Sequence, residues 1–311
     1  MFQTILSGMR YSAITLPLIL AVAGLCVCSS GSDGNGWSPT ADHVFLNKDS
    51  LGQRVVYQTP ESFIFDNESG CYFVSNVNGD PLSRWDNGYI IKFDRKMALV
   101  DNYFINGRDR DKILHAPKGM TVRDGILYVA DIDAVRGFSV RTGEQLVNLS
   151  LRAHGALYLN DITADTSGNL YISDLMANVV FMIDRASRVT VLAELSSPSG
   201  LCFHRNGFLY AVTREKPALY GIALDGSVEP VKTDASFGRL AGLDVDSSGD
   251  LYFSDSLQGK IYRYAVDSAR MTVVADNLEE PANISLDRRH DLILIPHLLG
   301  TASVFRTCEF H

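Results

Sequence analysis

Short apolar strands recur along this chain at a nearly constant interval. Six of them share one core: CYFVSN (71–76), LYVAD (127–131), LYISD (170–174), LYAVT (209–213), LYFSD (251–255) and LILIP (292–296), with second residues 56, 43, 39, 42 and 41 apart. Upstream of each lies another short apolar strand, SFIFD, GMTV, ITAD, GLCF, GLDV and ISLD in turn. Turns such as NESG, DTSG and DSSG separate the two, and their Asp or Asn followed by Gly suits a tight hairpin. Downstream comes a third alternating strand (YIIKFD, VRGFSV, VVFMID, LYGIAL, IYRYAV, SVFR), and in the middle blades a fourth, such as VTVLAE or MTVVAD. No segment within the repeats sustains a 3.6-residue apolar rhythm, so crossover helices are not expected.

Four strands in about 40 residues is the period of a propeller blade. The pattern therefore predicts an all-β fold, a six-bladed β-propeller with four-stranded blades. The last repeat ends one strand short, and RVVYQ (54–58) stands unassigned before the first. The expectation is that this N-terminal strand completes the last blade and closes the ring, leaving no sheet edge bare.

Within that frame, residues that open each first strand lie near those that end each second strand, on one face. The openings read Glu61, Lys118, Asp161, Ser199, Ala241 and Ala282; the ends read Asn76, Asp131, Asp174, Thr213, Asp255 and about His297. The longest insertion, NVNGDPLSRWDNG (76–88), joins two strands on this same face and carries Trp85. A long polar loop over a channel mouth is a candidate ligand contact. The recurring Asp131, Asp174 and Asp255 have a structural explanation instead, as acceptors for backbone N–H groups once per blade.

Composition adds compartment and exclusions. The 311 residues carry a net charge of −8 with no basic run, which argues against nucleic-acid binding. Residues 13–28 form an apolar run behind the single charge of Arg10 and ahead of the polar SSGSDGNG. That layout describes a secretory signal better than a membrane span. The division that follows is a signal at 1–28, a linker at 29–46 and the propeller at 47–311, in a periplasmic or extracellular monomer. Cys26 and Cys28 leave a lipid anchor open, although Leu25 and Val27 replace the small residue usual before a lipidated cysteine. The remaining Cys71, Cys202 and Cys308 give neither a disulfide framework nor a zinc spacing. Sequons begin at Asn67, Asn148 and Asn283.

Common catalytic signatures are missing: the sequence has no GxSxG, HExxH, GxxxxGK[ST] or GxGxxG. His115, His154 and His297 could share the mouth and bind zinc, or fall there by chance. DVDSSGD (244–250) reads as a hairpin turn rather than a calcium loop.

The succession of PES, ND and small-residue-Gly at the blade starts resembles the senescence marker protein/gluconolactonase family, with NHL-type repeats nearest in pattern. PESFIFDNESGCYFVSNVNGDPL, LHAPKGM, LYVADIDAVRGF and LNDI look like an exported bacterial branch of it, over residues 60 to about 300. The resemblance implies a lactone hydrolase holding a divalent cation by a Glu, an Asn and an Asp, with a further Asn for substrate. Glu61 matches the Glu and Asn160 the substrate Asn. Ser199 replaces the metal-binding Asn, and Ala241 replaces the Asp that would also serve as base. A hard cation needs several oxygen ligands, so the cofactor expectation is none, or a weakly bound divalent cation on Glu61. Two functions follow. One is a hydrolase of a lactone or small ester, with Glu61 and Asp161 catalytic and Asn160, Lys118, Asn76, Trp85 and Ser199 contacting substrate. The other is a non-catalytic envelope propeller that binds a small molecule in its channel or a protein partner.

Overall fold

Every residue of LYISD and of LYFSD is buried, because these strands have protein on both faces. Successive side chains alternate between two seams: Tyr171 packs toward the fourth blade with Leu201 and Leu209, and Ile172 toward the second with Ala130 and Val135. Tyr252 and Phe253 divide in the same way. A period of two with both faces apolar is what a sheet sandwiched between neighbouring sheets requires.

The computed structural model describes residues 43–48 and 52–306, and in them six four-stranded antiparallel sheets make a six-bladed β-propeller. The inner strands are Pro60–Asp66, Pro117–Arg123, Leu159–Ala164, Pro198–Phe203, Leu240–Val245 and Ser285–Asp287. They touch in sequence around the ring, the last against the first. Six apolar clusters fill the six seams. Between Asp244 and Asp250 the chain is a hairpin turn, with Asp250 N–H donating to Asp246 Oδ1 at 2.8 Å.

An N-terminal strand closes the ring, but it is His43–Phe45, paired with Ser303–Phe305 of the sixth blade. The expectation for RVVYQ was wrong. Apart from an isolated bridge between Arg54 and Lys48, these residues join no ladder. Their backbone is taken up by side chains of the first blade: Val56 N–H donates to Asn102 Oδ1 and Gln58 N–H to Asn76 Oδ1, both at 2.9 Å. The alternation that read as a strand serves packing, since Val55 and Tyr57 insert with Leu46 into the seam between blades six and one. That closing seam is further tied by buried Tyr72, whose hydroxyl donates to Asp287 Oδ2 at 2.5 Å. Cys26, Cys28, Cys308 and the expected signal lie outside the described residues.

Candidate functional site

Register fixes the site. Pro60, Pro117, Leu159, Pro198, Leu240 and Pro281 each face the last residue of the strand beside them, Asn76, Asp131, Asp174, Thr213, Asp255 and His297. A bulge follows in blades one to five. The next residues in register are Glu61, Lys118, Asn160, Ser199, Ala241 and Ala282, which form a mouth ring. One step deeper come Ser62, Gly119, Asp161, Gly200, Gly242 and Asn283. Asp161 is thus out of the ring in which it was expected. The structure places it one layer below Glu61, at the waist of the channel.

The waist is bridged. Asn283 Nδ2 donates to Asp161 Oδ1 at 2.5 Å, joining the sixth blade to the third directly across the ring. Leu201 N–H of the fourth blade donates to Asp161 Oδ2 at 2.8 Å. Burial pushes this carboxyl up to about 7 in spite of those hydrogen bonds. Glycines fill the neighbouring positions for lack of space: a Cβ at Gly119 would overlap Asp161, and one at Gly242 would overlap the backbone of Asn283 and Ile284. Asn283 is 5% exposed, so its sequon is closed to modification in the folded chain.

The mouth ring divides into two arcs. On one side Asn160 Nδ2 donates to Ser199 Oγ at 3.2 Å, and Ser199 Oγ donates to the Ala241 carbonyl at 2.9 Å. Ser199 is 1% exposed, and its hydroxyl both accepts and donates within this arc. Asn160 keeps one buried group without a partner, its side-chain carbonyl oxygen. On the other side stand Glu61 and Lys118. The surrounding protein raises the Glu61 pKa, while Arg214 and Lys118 oppose the rise. Burial lowers the Lys118 ammonium to about 8, against the pull of Asp131, Glu61 and Asp174.

Lys118 proves to be a strut. Its Nζ donates to the carbonyls of Ala116 at 3.0 Å and Pro81 at 3.2 Å and lies 4.3 Å from the centre of the Tyr158 ring. It therefore holds the 77–88 loop over the mouth rather than reaching a ligand. Arg84 pins the same loop to Asp133 at 2.5 Å. Trp85 sits on its outer surface, 67% exposed. Asn76 is also structural: it is 0% exposed, and it joins Gln58 N–H to the Val74 carbonyl. The strand-end aspartates act as expected. Asp174 alone accepts from the N–H groups of Leu157, Tyr158, Met176 and Ala177.

Two mouth residues escaped the sequence reading, Arg214 and Tyr158. Burial raises the Tyr158 pKa, with Glu61 raising it further and Arg214 lowering it. Arg214 follows Thr213, the end of a second strand, so the rule that located the mouth already pointed to it.

Neither metal expectation finds a fitting donor set. Glu61 and the free oxygen of Asn160 are the only unengaged oxygens of the ring, Ala241 and Ala282 offer none, and Arg214 and Lys118 bring positive charge. The three histidines stay apart: His115 pairs with Asp86 at 2.9 Å, His154 is exposed, and His297 is buried between the Glu279 carbonyl and Ser303 Oγ. Among the described residues no group of three or more potential ligands comes together. Cys71 and Cys202 are free thiols.

These features define a six-bladed propeller with an occluded waist and a polar mouth under a pinned loop. No family model and no curated protein sequence matches the chain. Solved structures share its fold. A catalytically inactive virginiamycin B lyase from Staphylococcus aureus, with quinupristin, is similar at TM-score 0.59 and 16% identity, over 85% of this chain and 99% of that one. A protein carrying a provisional gluconolactonase name is similar at TM-score 0.63 and 14% identity, over 86% and 93%. A Bacteroides thetaiotaomicron protein of unknown function gives 0.64 and 14%, over 83% and 72%. At such identities the likeness is one of architecture.

Proposed function

We propose that this chain is an exported, monomeric propeller of the hydrolase and lyase architecture whose mouth receives a lactone or small ester without a tightly held divalent cation. The observation that carries this reading is Glu61, its pKa raised by the surrounding protein and opposed by the charge of Arg214, at a mouth where Asn160 keeps an unpaired buried oxygen. A carboxyl group whose hold on its proton is raised by burial can relay that proton to or from a water or a leaving alcohol. Arg214 supplies fixed positive charge for a developing oxyanion, the part a metal plays in the family that the sequence resembles. Asn160 Oδ1 accepts from a ligand hydroxyl, which would satisfy a group otherwise costly to bury.

The test combines metal analysis with lactone hydrolysis. Protein dialysed against buffer should carry no stoichiometric calcium, zinc or manganese. Hydrolysis of a lactone panel should fall at least tenfold in Glu61→Gln and in Arg214→Met, with KM and kcat separated for each. Tight stoichiometric metal lost on Glu61→Gln would overturn the metal-free reading.

A second reading, a non-catalytic binding propeller, has one observation in its favour. The turns on the mouth face expose large apolar side chains in several blades: Trp85 at 67%, Met176 at 51%, Leu257 at 66% and Leu299 at 67%. A rim of this kind suits contact with a larger partner. It predicts no turnover of any lactone and no change in partner binding when Glu61 becomes Gln.

A further inference from the structure

The channel has a second end. Below the bridge of Asp161 and Asn283 it widens into a cavity of about 420 Å³ that opens away from the mouth, at the ends of the first strands. Nothing in the mouth reading uses it. We propose that this far cavity binds a small neutral polyhydroxylated molecule, a monosaccharide or sugar alcohol.

The lining supports that chemistry. Thr121 and Thr163 are half-buried in the wall, and no hydrogen bond within the described structure engages either hydroxyl. Each can donate and accept, as a sugar hydroxyl does. The floor is the Asp161–Asn283 pair, whose planar groups already exchange one hydrogen bond and retain further capacity. Asp244 pairs with Arg288 at the wall and takes the Leu286 N–H at 2.8 Å, while Asp66 at the rim accepts from the N–H groups of Glu68 and Ser69. Burial drives the Cys202 thiol, also in the lining, well above its ordinary range, so it stays neutral. With Asp66 and Glu68 the lining keeps a surplus of negative charge that disfavours an anion, no three potential ligands gather there among the described residues to hold a metal ion, and hydroxyls and amides are wasted on a hydrocarbon. Its volume lies within the range of small-molecule sites and equals that of roughly fourteen waters at ~30 Å³ each.

The experiment is calorimetric titration of the full chain with neutral hexoses, pentoses and alditols to millimolar concentrations. Saturable binding of at least one is expected. Thr121→Val with Thr163→Val should weaken it about tenfold or more, since each substitution removes one hydrogen bond and little shape. The thermal midpoint is measured alongside; if the double variant does not fold, each single variant should weaken binding several-fold. Glu61→Gln should leave this binding unchanged, which separates the far cavity from the mouth. The proposal is overturned if no member of the panel binds saturably, if the threonine variants bind as the parent does, or if Glu61→Gln abolishes binding.

Discussion

The two ends of one channel are built on different physics, although the same six strands line both. At the mouth charge is concentrated: Arg214 and Lys118 both act on Glu61, and Lys118 is spent on two carbonyls and an aromatic ring. At the far end hydroxyls, the Asp244–Arg288 pair and the carboxyl groups of Asp66 and Glu68 line an open space. Between them the waist is closed by a single carboxyl–amide contact that glycines on either side make room for. The carboxyl of that contact, Asp161, which burial raises to about 7, belongs both to the waist and to the lining of the far cavity.

The largest effect is expected where the waist is tightest. Gly242→Ala sets a methyl group against the backbone of the sixth blade, where no flexible side chain can yield. A loss of roughly 3 kcal/mol or more in urea unfolding is expected, or failure to fold; a near-normal midpoint would show that the seam between the fifth and sixth blades is slack.

The next effect is a pH dependence carried by Asp161. Its folded pKa, about 7, lies above the ordinary 3.8, so folding favours the neutral acid. The stability this group permits is complete below about pH 4 and is lost as pH rises through 7, amounting to a few kcal/mol. Asp161→Asn should flatten that portion of the stability curve, at the cost of about 1 kcal/mol at low pH for one imperfect hydrogen bond. A parent curve level from pH 4.5 to 8 would remove the argument.

The smallest effect belongs to the mouth. Lys118→Met keeps much of the packed length but releases the Pro81 carbonyl, so the 77–88 loop should loosen while the blades stay intact. Faster proteolysis within 77–88 and altered Trp85 emission should accompany a stability change of about 1–2 kcal/mol. If the loop is as protected as in the parent, Arg84 and Asp133 hold it without help.

What could be read in advance was whatever repeats. LYISD and LYFSD announced strands buried on both faces, and Asp174 announced its backbone acceptor role, because each is settled within one blade and recurs at a fixed interval. The mouth was legible in part: Glu61 lies where the spacing put it, whereas Asn160 was singled out only by the family resemblance. Asp161 was misplaced by one residue, since the bulge that sets its depth is a property of strand pairing, and LND carries no mark of it.

The sequence by itself determined the number of blades and the face on which the first strands open. Only the tertiary structure decided which N-terminal segment closes the ring. RVVYQ and HVF are both apolar enough to be strands, and the choice fell to HVF because Asn76 and Asn102 capture the backbone of the other. It also decided that Lys118 is a strut, that the charge of Arg214 acts on Glu61, and that Asp161 meets Asn283 across 122 positions of chain. Such contacts depend on ring closure, which brings opposite blades face to face and leaves no trace in the local pattern of either.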